Sequence, residues 1–91
     1  MATHKNLDVW KKSFQLVTDV YHLTSGFPKE EIFGLTNQIR RASVSIPSNI
    51  AEGAARNSDK ELIHFLYIAL GSHQELDTQL LYRKKLRISS K

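Results

Sequence analysis

A helical apolar period that runs straight through a proline constrains this chain more than any other feature. Between Gln38 and Ser58 the sequence reads QIRRASVSIPSNIAEGAARNS. Leu35, Ile39, Ala42, Ile46, Ile50 and Gly53 recur at three- and four-residue steps, which gathers them on one side of a helix. Arg41, Ser45, Ser48 and Glu52 recur in the same way on roughly the opposite side. The segment is a two-faced helix, and any function would sit on its polar face. Pro47 lies inside it, removing one backbone hydrogen bond and crowding the carbonyl of Ser43. Because the period continues in phase past Pro47, the pattern predicts a kink, with Ser43 and Ser45 placed to re-satisfy the freed carbonyls. The alternative is a break near Ser45 into two shorter helices.

A helix on each side completes the pattern. The first begins near Leu7 and carries Leu7, Trp10, Phe14, Val17 and Tyr21 on a heptad-like seam, beside a second stripe of Val9, Leu16, Val20 and Leu23. Gly26, Phe27 and Pro28 end it, glycine accepting a left-handed cap and proline being unable to continue the ladder. The second helix is predicted to start at Pro28, with Lys29, Glu30 and Glu31 in its first turn, and to reach about Ala55. The third opens on Ser58-Asp59-Lys60-Glu61, a capping box. Its seam is Leu62, Leu66, Ala69, His73, Leu76 and Leu80, with Ile63, Tyr67 and Leu70 alongside and Phe65 and Ile68 in a third direction. A helix apolar on every side is expected to be buried on every side.

No strand alternation competes, so the fold class is all-α, an antiparallel up-down helical bundle in a single domain over residues 1–91. A chain this short has a modest core. Its first and third helices carry more apolar stripes than three helices can cover. Val9, Leu16, Val20, Ile63, Tyr67 and Leu70 are therefore the candidate oligomer interface.

The formal charge of +4 suggests nucleic acid, yet its distribution weakens that inference. Up to Asp77 there are eight lysines and arginines against nine acids, whereas Arg83, Lys84, Lys85, Arg87 and Lys91 face none. The positive balance belongs to a basic C-terminal tail over residues 83–91. There is no cysteine, which excludes disulfide and thiolate-metal scaffolds. The N-terminus lacks a signal-like apolar run, and Phe65 to Leu70, the longest wholly apolar stretch, is too short to span a bilayer. The expected compartment is the cytoplasm, with no membrane partner.

LDVWKKSFQLVTDVY in the first helix, QIRRASVSIPSNIAEGAAR in the second and SDKELIHFLYIALGSHQELDTQL in the third together resemble a bacterial four-helix-bundle family. Its members are small proteins encoded within intervening sequences of large-subunit ribosomal RNA genes, and accessory proteins of diversity-generating retroelements. The resemblance covers about Leu7 to Leu81. It implies an up-down four-helix bundle that assembles into a ring, typically a pentamer, often with a basic surface. For the retroelement members it also implies binding to nucleic acid and to a reverse transcriptase. This sequence departs from the family after Leu81, where YRKKLRISSK stands in place of a turn and a full fourth helix.

Each candidate residue has a functional and a structural reading. Arg40, Arg41, Arg56, Arg83, Lys84, Lys85 and Arg87 are the candidate nucleic-acid contacts, phosphate neutralisation being the source of salt-dependent, sequence-independent affinity. The structural readings pair Arg41 with acids across the bundle or subunit interface and Arg56 with Glu52 at four-residue spacing. Ser45, Ser48, Asn49 and Glu52 are either a polar pocket or, more in keeping with small polar residues, the means of close helix approach. His73, on the third helix's seam, reads as an interior histidine. Glu61 and His64 form a single Glu-x-x-His pair, which lacks the second pair and the extra glutamates of a di-iron bundle. No residue stands in a nucleophile-activating motif, so neither enzyme, metal nor cofactor is expected. Two readings remain: a homo-oligomeric accessory protein that holds RNA or DNA backbone, alone or beside a larger partner such as a reverse transcriptase, and a structural or protein-interaction module without nucleic acid.

Overall fold

The computed structural model describes residues 4–31 and 34–86. Three long helices carry the architecture: α1, Asp8–Thr24, α2, Leu35–Ala54, and α3, Asp59–Lys85, with short 3-10 turns at His4–Asn6 and Lys29–Glu31. No strand occurs among the described residues. The molecule is an elongated body of 44 × 19 × 18 Å.

Both connections reverse the chain, so neighbouring helices run antiparallel. The α2/α3 register is fixed by the Ser45 and Ser72 hydroxyls, 2.8 Å apart, and by the approach of Gly53 to Phe65. That of α1 and α2 is fixed by Arg40 Nε donating to Thr24 Oγ1 at 2.7 Å. α2 packs against both other helices, while no backbone contact joins α1 to α3 among the described residues. Among the described residues the three helices form an open layer centred on α2.

The core follows the stripe read from the sequence. Ile39, Ala42, Ile46, Ile50 and Gly53 are all buried. With Val20, Phe27, Ala69 and Leu76 the apolar ones form one cluster, against which Trp10, Leu16, Leu23, Leu35 and Leu80 pack. Ile39 and Ile50 lose essentially all solvent contact, worth about 1.5–3 kcal/mol each.

The helix ends differ from expectation in informative ways. α2 starts at Leu35, not Pro28. Pro28 opens only one 3-10 turn, and Gly34, which gains nothing from helical φ/ψ, holds a non-helical conformation as the N-cap. Glu31 keeps a capping role from outside the helix, its Oε2 accepting from Leu35 N at 3.4 Å. α2 then passes through Pro47 as one helix, and Pro47 is buried. The two serines do not serve the freed carbonyl: Ser43 Oγ donates to Arg40 O, and Ser45 Oγ turns to Ser72 on α3. α3 begins as read, with Ser58 Oγ accepting from Glu61 N at 3.2 Å. The Glu61 carboxylate, however, lies 3.8 Å from Arg56 instead of reaching back.

The expected all-round burial of α3 is not realised. Ala69, Leu76 and Gln79 are its buried residues, whereas Ile63, Leu66, Tyr67, Ile68, Leu70, Leu81 and Tyr82 are exposed. One helix neighbour can cover only one stripe of a helix. His73 is exposed as well, the inward face having rotated toward Ala69, Leu76 and Gln79. No described helix is long and apolar enough to cross a membrane.

Candidate nucleic-acid interface

The polar face of α2 meets the C-terminal half of α1 in an open groove of about 470 Å³, lined by Tyr21 from α1 and by Thr36, Asn37, Arg40, Arg41, Val44 and Ser45 from α2. None of these is a carboxylate, in a chain holding nine acids. Arg40 is held from two sides. Its Nε donates to Thr24 Oγ1, and its guanidinium carbon lies 4.5 Å from the centre of the Tyr21 ring. Thr24 donates its own proton to Val20 O at 2.8 Å, so its oxygen is free to accept. The arginine's terminal nitrogens have no protein partner among the described residues and remain available at the groove.

Arg41, one residue on and about 100° round the helix, is exposed. Within the subunit no carboxylate lies within 4.0 Å of it among the described residues. On the groove's inner side is Thr36, only 3% exposed, whose buried Oγ1 has no hydrogen-bond partner among the described residues. A buried hydroxyl left unpaired costs roughly 1–3 kcal/mol. Two arginines, the Asn37 amide and the Tyr21 phenol make a donor-rich wall suited to an anion.

The other candidate cations separate from this pair. Arg56, at the far end of α2, lies 3.8 Å from both Glu52 and Glu61 and over the Phe65 ring. Its charge is already matched. Arg83, Lys84 and Lys85 form the last turn of α3, not a tail, where cations suit the helix dipole. The α2/α3 register brings them to the same end of the molecule as Arg40 and Arg41. Arg83 is half-buried, with its guanidinium 5.9 Å from the Phe27 ring and its Nε without a hydrogen-bond partner among the described residues. Arg87 and the rest of the expected tail lie outside the described residues.

Ser45 and Asn49 answer to their structural reading. Asn49 Nδ2 donates to Ser45 O and Oγ at 2.8 and 2.9 Å, and Ser45 bridges to Ser72, tying α2 to α3. Of the candidate interface residues, Val20 is buried and Leu16 packs on the core, so both are consumed within the subunit. Val9, Ile63, Tyr67 and Leu70 are exposed. Val9 and Leu70, with Ile46, Ile50 and Leu66, line a largely apolar groove of about 300 Å³ between α1 and α3, with His73 among its lining. Among the described residues no three His, Cys, Asp or Glu side chains gather to hold a metal.

Tyr21, Thr24 and Thr36 were not legible as site residues. Tyr21 stood on an apolar seam, and neither threonine carries a motif; only the pairing of α1 with α2 brings Tyr21 and Thr24 to Arg40, while Thr36 lies one turn before it on α2. No curated protein matches the chain. The family model for the 23S rRNA-intervening sequence protein matches residues 5–91, and the chain belongs to that family.

Proposed function

We propose that this protein is a non-enzymatic, self-associating helical module of the cytoplasm that holds the sugar-phosphate backbone of nucleic acid. The observation that carries this reading is the groove at Arg40 and Arg41, where among the described residues neither arginine has a carboxylate partner and no acid lines the wall. Two cations in one subunit make a weak site. Repetition around an axis multiplies them into a patch, which is how a body with little net charge of its own acquires affinity for a polyanion. The exposed apolar stripe of Ile63, Tyr67 and Leu70 supports that self-association, and the family resemblance favours a ring of five. The ribosomal RNA context in the family's description supports RNA as the first ligand to try.

The test is fluorescence anisotropy with single- and double-stranded RNA and DNA across a salt series. Binding that weakens linearly in log salt is expected, and no binding even at low salt would overturn the reading. The exposed apolar surface also favours a second reading, a protein-interaction module without nucleic acid. That reading predicts a stable native oligomer indifferent to all four probes.

A further inference from the structure

Beyond Val44, which lines both, a second groove of about 300 Å³ lies between α1 and α2, lined by His4, Trp10, Phe14, Val17, Pro47 and Ser48 among others, again with no carboxylate. The two lie end to end along the α1/α2 seam, a trough divided at Val44 whose ends differ. One end presents Arg40 and Arg41; the other presents aromatic rings. Trp10 and Phe14 lie 5.1 Å apart, tilted by 38°, and Phe14 is 55% exposed. Trp10, Phe14 and Tyr21 fall on one face of α1 at spacings of four and seven, so an aromatic row of ~16 Å runs beside the arginines. This trough is separate from the apolar groove between α1 and α3. Val44 and Ser48 line the former, Ile46 and Ile50 the latter, and a step of two residues turns about 200° round α2.

We infer that the α1/α2 trough takes a single-stranded segment of nucleic acid, a phosphate at Arg40 and Arg41 and an unpaired base against Phe14 and Trp10. The inference rests on the backbone-binding reading above and adds the form of the ligand. Cations beside exposed aromatic rings are what single strands require, because every unpaired base has a face that can stack. A duplex offers the same phosphates but keeps its bases stacked on each other, leaving Phe14 and Trp10 uncovered. Charge complementarity argues for a polyanion over a protein helix. A partner helix would fit the aromatic end yet leave two unmatched guanidinium groups beside it.

The full-length protein is titrated with an oligouridylate of about eight nucleotides and with an RNA duplex of equal length. Binding is followed by anisotropy and by the emission of Trp10, the chain's single tryptophan. The single strand should bind at least tenfold more tightly and quench Trp10. Phe14→Ala and Phe14→Leu should each weaken single-strand binding about tenfold or more while leaving duplex affinity and salt dependence unchanged. Phe14→Tyr should retain it, and Arg41→Gln should weaken both ligands. Equal affinity for duplex and single strand, or equal loss of both in Phe14→Ala, overturns the inference and leaves backbone binding standing. A lower native mass in Phe14→Ala would assign the aromatic end to subunit contact and overturn it too. Binding to neither ligand removes the backbone reading along with it.

Discussion

Replacing Gly53 by alanine should destabilise the protein, whereas the same replacement at Gly71 should stabilise it, although both glycines lie inside helices. A Cβ built on Gly53 falls 2.8 Å from Phe65 Cβ and 3.3 Å from Leu62 O and Cδ1. Phe65 Cβ and the Leu62 carbonyl cannot swing aside as the end of a long side chain can, so α2 and α3 must separate. Such overpacking costs about 1–3 kcal/mol, and alanine's better helix propensity returns at most about 1 kcal/mol. The net loss is about 1–2 kcal/mol, and for a domain of this size each kcal/mol moves Tm by about 4–8 °C. A fall of about 5–15 °C is expected. At Gly71 nothing lies within 4 Å of the added methyl, so the propensity gain of about 0.5–1 kcal/mol acts alone and Tm should rise by about 2–8 °C. Thermal melts followed by circular dichroism, at one protein concentration because self-association couples to stability, compare the two directly. If Gly53→Ala raised Tm as Gly71→Ala does, the close α2/α3 crossing would be refuted.

Three further perturbations test separate parts of the account. Ser58→Ala removes the acceptor that caps α3 and should cost about 1 kcal/mol in urea unfolding; an unchanged midpoint would deny the cap. Ser45→Ala breaks the hydroxyl bridge to Ser72 and removes one of the two acceptors of the Asn49 amide, the backbone carbonyl of residue 45 remaining. About 1 kcal/mol of stability should go with it, and a coupled effect in the Ser45→Ala/Ser72→Ala double-mutant cycle would show that the two act together. Tyr67→Lys, at a residue 69% exposed in the isolated subunit, should leave the melting of secondary structure intact while light scattering shows the native mass falling toward the 10.4 kDa of one chain. A monomeric wild type, or a variant of unchanged mass, would contradict self-association through that face.

The fold was largely written in the spacing of apolar residues, because a stripe at three- and four-residue steps has only one way to be buried. Ile39, Ala42, Ile46 and Ile50 form the core as the period requires, and Ser58 caps α3 as its hydroxyl chemistry requires. What misled was local chemistry with two outcomes. Pro28 can open a long helix or a single turn, and here it opens a single turn, with α2 starting afresh from Gly34 as its N-cap. The apolar residues of α3 marked what needs covering but not what covers it, so Ile63, Tyr67 and Leu70 stand exposed and His73 with them. At the site, Arg40 and Arg41 were conspicuous as a pair. The Glu52 partner of Arg56 was legible from its four-residue spacing; that Glu61 joins it, and that Thr24 and Tyr21 hold Arg40, depends on contacts across helices and across the turn before α3 that spacing within one helix cannot encode.

The central claim, that unpaired arginines on the polar face of α2 meet phosphate, is tested most directly at Arg41. It is exposed and makes no ion pair among the described residues, so Arg41→Gln should leave stability within about 0.5 kcal/mol. Oligonucleotide affinity is measured for wild type and variant across a salt series. If Arg41 neutralises a phosphate, its loss weakens binding to every sequence alike and makes the slope of log K against log salt shallower by about 0.7–0.9 per site engaged. An unchanged slope with unchanged affinity would contradict the claim.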